Sequence, residues 1–436
     1  MKTLKSALMV AALSAIGAAA NAQSVPTSVS HDAPTSGWAP GKLRGDYWKY
    51  KGEKPLFSIT AANLGQYADK LSPGQLALFK QIKNYRMDVY PTHRNCAYPE
   101  WVQDNTSKNG AGAAKLDASG DYLMTAVLPG LPFPQAKTGQ EAIWNYLTRY
   151  RGVGVEWQKV NTSVSPRPGS TDWVSTTSKQ TQYFAWGKKG ANVTNKDTWN
   201  YAIYFAYDTP AALAGQGLIQ VSNFGNNDLQ SYYYFSGQRR VRRMPAYAYD
   251  APQIGFENQY AVDEPYLFNG NIDRFDWKLV GQKDLYVPYN DFAMYDFKKN
   301  LGDVFKPDQV DPSARRYELH RVFVVEATLK PNMRHISQKK VLYLDEDTYL
   351  ALVGEDYDAQ GKLWKTKESY PIPIWELGGT CDVEPFVQYN LISGRYVLDQ
   401  NVVGTGADVR YFEESTAPAF NPGFYTAENL RAISER

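Results

Sequence analysis

Hydrophobic and polar positions alternate most regularly between Tyr317 and Tyr370. In Tyr317–Leu329, residues Leu319, Phe323, Val325, Ala327 and Leu329 fall on one face. Glu318, His320, Glu326 and Thr328 fall on the other, together with Val322 and Val324. Such period-two alternation predicts a β-strand with one packed face. Pro331 and Asn332 end it. Further strands are predicted over Gln338–Leu344, Thr348–Tyr357 and Lys362–Tyr370. They are joined through the turns Asp345-Glu346-Asp347 and Asp358-Ala359-Gln360-Gly361. Connections this short make an antiparallel meander, which can pack one face while wetting the other.

The same pattern predicts strands over Met87–Thr92, Tyr122–Leu128, Val155–Val164, Thr181–Trp186, Trp199–Tyr207, Leu218–Phe224 and Leu229–Phe235. Helical spacing is rarer. Thr60–Lys70 is a modest helix candidate. Ser72-Pro73-Gly74-Gln75 combines an N-cap, a proline at the first helical position and a glutamine at the third, opening a helix to about Asn84. Thr138-Gly139-Gln140-Glu141 is a second capping box, and the helix that follows to Arg151, with Ile143, Trp144 and Leu147 on one face, is with the helix before it the candidate lid over the sheet. His93–Asn109 reads as a polar loop and residues 293–316 as a loop excursion. No fixed-period repeat is present, which excludes propellers and solenoids. The fold class is therefore mainly β (α+β): a large curved antiparallel sheet with a few covering helices. Residues 23–55, rich in Gly, Pro, Ser and Thr, form an irregular segment, and 56–436 form a single β-rich domain.

The N-terminus adds a location. Lys2 and Lys5, the apolar run Ala7–Ala20 and the motif Ala20-Asn21-Ala22 make residues 1–22 a cleavable signal peptide. No cysteine follows the cleavage point and no later stretch is long and apolar enough to span a membrane, so the expected product is a soluble periplasmic protein without a lipid anchor or transmembrane segment. Loss of Lys2 and Lys5 brings the 47 basic residues to 45, equal to the 45 acids. A neutral chain argues against nucleic acid as partner. The chain has two cysteines, Cys96 and Cys381, which an oxidising compartment would join as a disulfide.

Candidate chemistry is sparse. The chain has no G-x-S-x-G elbow, phosphate loop, dinucleotide fingerprint or H-E-x-x-H motif. His31, His93, His320 and His335 are not paired at ligand spacing, so neither a metal nor a cofactor is expected. Asp263-Glu264 and Glu413-Glu414 are the carboxylate pairs a glycosidase reading would use. The densest charge cluster contains Arg239, Arg240, Arg242 and Arg243. It has two readings. The arginines clamp an anionic headgroup at a cavity rim, or they pair internally with Asp250, Asp263, Glu264, Asp273 and Asp276, the simpler arrangement. Trp144, Trp186, Trp199 and Tyr233 are candidate ligand-lining aromatics on predicted elements, with ordinary core packing as the alternative.

Leu342-Tyr-Leu-Asp345, the acidic turn and Tyr357-Asp-Ala-Gln-Gly-Lys-Leu363 resemble the C-terminal hairpins of the periplasmic lipoprotein-sorting superfamily. Over nearly all of its mature length, the chain also resembles a proteobacterial envelope family of unknown function classed with outer-membrane lipoprotein sorting. The segments that carry this are Leu131-Pro-Phe-Pro134 with Ile143-Trp-Asn145, Arg239-Arg-Val-Arg-Arg243, Phe268-Asn-Gly270, Phe275-Asp-Trp-Lys278 and Val287-Pro-Tyr289. The resemblance implies a LolA/LolB-like open half-barrel around an apolar cavity. It also implies a non-enzymatic carrier of a hydrophobic, lipid-like ligand, anionic if the arginines face it. Such a carrier would serve envelope lipid or lipoprotein trafficking and meet an envelope transporter or outer-membrane protein. Two alternatives stand beside it: a periplasmic hydrolase of polysaccharide or lipid, and a structural envelope protein without ligand.

Overall fold

The computed structural model describes residues 24–193, 198–227 and 229–435, so the proposed signal peptide lies outside the described residues. The predicted meander is present. Tyr317–Leu329 is one continuous strand, followed by Lys339–Asp345, Ala351–Tyr357 and Leu363–Pro373, each antiparallel to the one before. Two further strands, Cys381–Asn390 and Arg395–Asn401, extend it. There the sheet turns back to earlier sequence: Val397 stands opposite Val164 of the strand Gly154–Val164. From that strand the sheet continues through Val174–Tyr183, Trp199–Thr209, Gly217–Asn223, Leu229–Phe235 and Arg240–Arg243. The result is one 16-stranded sheet, mainly antiparallel, with Phe57–Ile59 and Arg240–Arg243 at its two ends. It is not closed into a barrel.

Several expectations are corrected. The long strand Phe275–Pro288, absent from the elements predicted above, pairs along Tyr317–Leu329. Thr181–Trp186 is the end of a strand that begins at Val174, followed by a turn at Ala185–Gly187. Glu100–Lys108 is a helix, not a loop: Pro99 precedes it and Glu100 places a carboxylate in its first turn. Thr60–Lys70 holds only the short turns Leu64–Gln66 and Ala68–Lys70.

Both capping boxes form as spaced. The Ser72 hydroxyl accepts from Gln75 N at 3.1 Å and Gln75 Oε1 accepts from Ser72 N at 3.0 Å, fixing the helix Pro73–Gln81. Thr138 and Glu141 do the same for Gly139–Leu147. That helix begins against the long strand: a Cβ on Gly139 would lie 2.4 Å from the backbone of Trp277 and Lys278, so only glycine lets the two meet.

The meander does not wet its second face. Val325 and Ala327 belong to the main core, and Val322 to a second core with Leu285, Val287, Val341, Leu352 and Val383. The expected disulfide closes this second core: Cys96 and Cys381 are bonded, with Cα atoms 4.9 Å apart. Glu318 and His320 are buried here too, paired with each other and, through Glu318, with Arg316. The irregular N-terminal segment is tied down by a buried guanidinium. Arg44 bridges Glu376 at 2.5 Å and Asp408 at 2.8 Å.

Candidate functional site

Part of the face opposite the second core is covered by an excursion of the chain, residues 244–274, which connects the edge strand Arg240–Arg243 to Phe275–Pro288. Beneath it lies a cavity of about 70 Å³. Its floor is set by strand register. Gln182, Ile203 and Gln220 stand opposite one another across three strands, as do Gln180, Phe205 and Leu218 in the next row. Ser178 and Tyr207 form a third row. Arg395–Asn401 adds Asp399 and Gln400, both reaching the cavity because Gln400 takes φ +53 and breaks the alternation. The covering excursion supplies Tyr247, Gln253, Phe256, Val262 and Tyr266.

The site is therefore amphiphilic: apolar and aromatic side chains share it with the amides of Gln180, Gln182, Gln220, Gln253 and Gln400. Most polar groups are engaged. Gln182 meets the Tyr266 hydroxyl and accepts from Arg151 at 2.9 Å. Gln220 donates to Ser231 at 3.0 Å, and Tyr207 donates to the carbonyl of Ile254 at 3.0 Å. Asp399 accepts from Thr162 and, at 2.5 Å, from Tyr260, while burial raises its carboxyl. Gln400 Oε1 has no hydrogen-bond partner among the described residues.

The base of the excursion is fastened by buried charge. His335 Nε2 donates to Asp263 at 2.9 Å, Lys365 meets Glu264, and Lys367 donates to the carbonyl of Leu267 at 3.1 Å. Asp356 accepts from Lys340 at 3.3 Å and lies 2.6 Å from Lys367. Burial would raise Asp263, but Lys340 and His335 outweigh it and hold this carboxyl well below its usual range. Burial likewise opposes Asp356, yet the lysines Lys340 and Lys367 keep it at about 2. Tyr266 lies 5.1 Å from Arg149 and 4.9 Å from Arg151, both anchored on Asp382.

Other residues, then, make the wall that the candidate aromatics were expected to make. Trp186 is buried and donates to the carbonyl of Asn200 at 2.6 Å. It shares Phe224 with Trp144, whose ring stands 5.8 Å from it. Trp199 packs on Tyr425 at the C-terminal end of the chain. Tyr233 stands directly behind Leu218 in the cavity row and donates to Gln216 at 2.9 Å. No residue of the helix Gly139–Leu147 lines the cavity; the 244–274 excursion is its cover. The arginine cluster is exposed on the edge strand. Arg242 continues the row of Leu218 and Tyr233, and donates to Gln238 at 2.7 Å. Four of the five acids offered as its partners are engaged elsewhere: Asp250 with Arg274, Asp263 with His335, Glu264 with Lys365, and Asp273 with Tyr249.

Residues 58–431 match the family described as "Protein of unknown function (DUF1329)". The chain belongs to that family. An uncharacterized protein of Pseudomonas aeruginosa is 38% identical over 354 residues, covering 80% of this chain and 76% of the relative. A Vibrio parahaemolyticus domain named for outer membrane lipoprotein sorting aligns at TM-score 0.45 and 15% identity, over 67% of this chain and 98% of its own. A DUF1329 family protein from Desulfovibrio piger aligns at TM-score 0.40 and 18% identity, over 63% of this chain and 91% of its own.

Proposed function

We propose that this chain is a binding and carrier protein, not an enzyme, for a hydrophobic, lipid-like ligand. The ligand sits between the sheet and the 244–274 excursion. The observation that carries this reading is the amphiphilic cavity between the sheet and this connecting loop. At about 70 Å³ it is well below the roughly 300–1,000 Å³ of ordinary ligand pockets. Uptake therefore requires the cover to move. Asp263 and Glu264, one of the two carboxylate pairs a hydrolase reading would use, are consumed in internal pairs.

The export pattern of residues 1–22 supports a periplasmic site of action in envelope lipid or lipoprotein trafficking. Among the described residues, no helix is long and apolar enough to cross a membrane. The exposed edge with Arg239, Arg240, Arg242 and Arg243 suits contact with an anionic lipid surface or with an acidic face of an envelope transporter or outer-membrane protein. Replacing Arg240 and Arg242 by Ala should weaken association with anionic vesicles and leave thermal unfolding unchanged.

Mass spectrometry of organic extracts from protein purified without detergent tests the carrier reading. A stoichiometric amphiphile is expected from the native chain and none from Leu218→Trp, which fills the cavity. Equal recovery from both would overturn the cavity as the seat.

A further inference from the structure

The 244–274 excursion has two halves of different character. From Tyr260 to Phe268 nearly every residue is buried, and the buried charge pairs fasten it. Residues 253–259 form an exposed or half-exposed tip in which Phe256 alone is buried. Within that tip Glu257 takes φ +48 and Asn258 φ +58, left-handed conformations that non-glycine residues keep only when something holds them.

What holds Glu257 is a pair of arginines. Its Oε2 accepts from Arg395 Nη1 at 2.6 Å and from Arg167 Nη2 at 3.5 Å. The Arg395 side chain is only 6% exposed, whereas that of Glu257 is 42% exposed. Arg395 also donates through Nε to the carbonyl of Ser165 at 2.7 Å. The sheet, not Glu257, therefore fixes the guanidinium, whose Nη1 end reaches the cleft rim where Glu257 lies. There it meets an open cleft of about 270 Å³ shared with Arg167, Pro168, Gln259 and Ser393. Phe256, one residue before Glu257, lines the inner cavity. A cationic seat and an apolar seat thus lie on opposite sides of one loop tip.

We propose that Arg395 and Arg167 form the acid-binding end of the ligand site, and that the ligand is a long-chain carboxylate. This rests on the carrier reading. Glu257 is the internal carboxylate that occupies the seat in the closed protein. An incoming carboxylate replaces it on the guanidinium fork, which matches that group in shape and charge. One anion exchanges for another, so the buried guanidinium is never left uncompensated. The released tip lifts, and the chain passes beneath Phe256 toward Leu218. A neutral amphiphile has nothing to offer Arg395 and does not open the latch, because a ligand shifts an equilibrium only through a difference in affinity for the two states.

The test compares oleate with oleyl alcohol by titration calorimetry on the full chain. Oleate should bind about tenfold more tightly, the equivalent of one charge-assisted contact. Arg395→Gln should abolish that preference, with its thermal unfolding recorded alongside. Arg167 is largely exposed, so Arg167→Gln should reduce the preference without any folding defect. Glu257→Gln, which removes the competing carboxylate, should tighten oleate severalfold. Equal affinity of acid and alcohol for the native chain would overturn the inference and leave the carrier reading standing. So would a preference that survives Arg395→Gln and Arg167→Gln but disappears in the Arg240→Gln, Arg242→Gln double variant. Binding of neither ligand would overturn the carrier reading and this inference with it.

Discussion

His335 Nε2 donates to the Asp263 carboxylate at 2.9 Å, and both side chains are buried. Because His335 Nδ1 accepts from the backbone N of Ser337 at 2.9 Å, the ring is held in the tautomer that protonates Nε2. This contact fastens the cover of the cavity to the loop that follows Tyr317–Leu329. His335→Leu should therefore leave a buried carboxylate without this donor and cost about 1–3 kcal/mol. Chemical denaturation measures it; a loss under about 1 kcal/mol would show that the anchor is dispensable.

The acids of this cluster also set a pH dependence. Asp263, Glu264 and Asp356 are all held below their ordinary values, since nearby cations outweigh the effect of burial. A depressed carboxyl stabilises the fold above its unfolded pKa of roughly 4, and that contribution is lost as pH falls through the folded value. Thermal stability governed by this cluster should stay level as pH falls from neutrality to about 5, then drop steeply below about 4. Asp263→Asn should flatten the acid limb. An unchanged limb would assign acid sensitivity to other groups.

The helix Gly139–Leu147 should behave as a fixed wall. Ile143, Trp144 and Tyr146 are buried, and Gly139 abuts the backbone of Lys278. Trp144→Ala should cost about 3–5 kcal/mol by leaving a cavity. Gly139→Ala should cost about 1–3 kcal/mol by overpacking. Amide exchange across the helix should be as slow as in Tyr317–Leu329, with or without ligand. Exchange that slows only when lipid is added would restore the helix as the moving cover.

How far the sequence reveals this architecture depends on which side chains face inward. The meander from Tyr317 was legible because its inward positions are apolar, and the caps at Ser72 and Thr138 because their spacing is local. Val174–Tyr183 was not, because Thr176, Ser178, Gln180 and Gln182 are the buried positions and the pattern reads as polar. The cavity wall was hidden for the same reason. Cys381–Asn390 escaped because Asp382 and Glu384 are buried among its apolar residues, paired with Arg149 and Arg151 from distant sequence. Long-range pairs such as His335 with Asp263 and Lys365 with Glu264 reveal that the cover is the 244–274 excursion.

The disulfide ties an early loop to the strand Cys381–Asn390 across 285 residues. Cys96→Ser, Cys381→Ser and the double variant should each lose about 2–5 kcal/mol, with the double no worse than the worse single. Additive losses in the double variant would show that the two sulfurs act separately.

The most direct measurement of the central claim is photo-crosslinking with a fatty acid carrying a diazirine at its chain tip, followed by peptide mapping. The seat beneath the 244–274 excursion predicts labelled residues within Trp199–Thr209 and Gly217–Asn223, with none in Leu218→Trp. Labelling confined to the Arg240–Arg243 edge, or to the second core around Cys96 and Cys381, would contradict it.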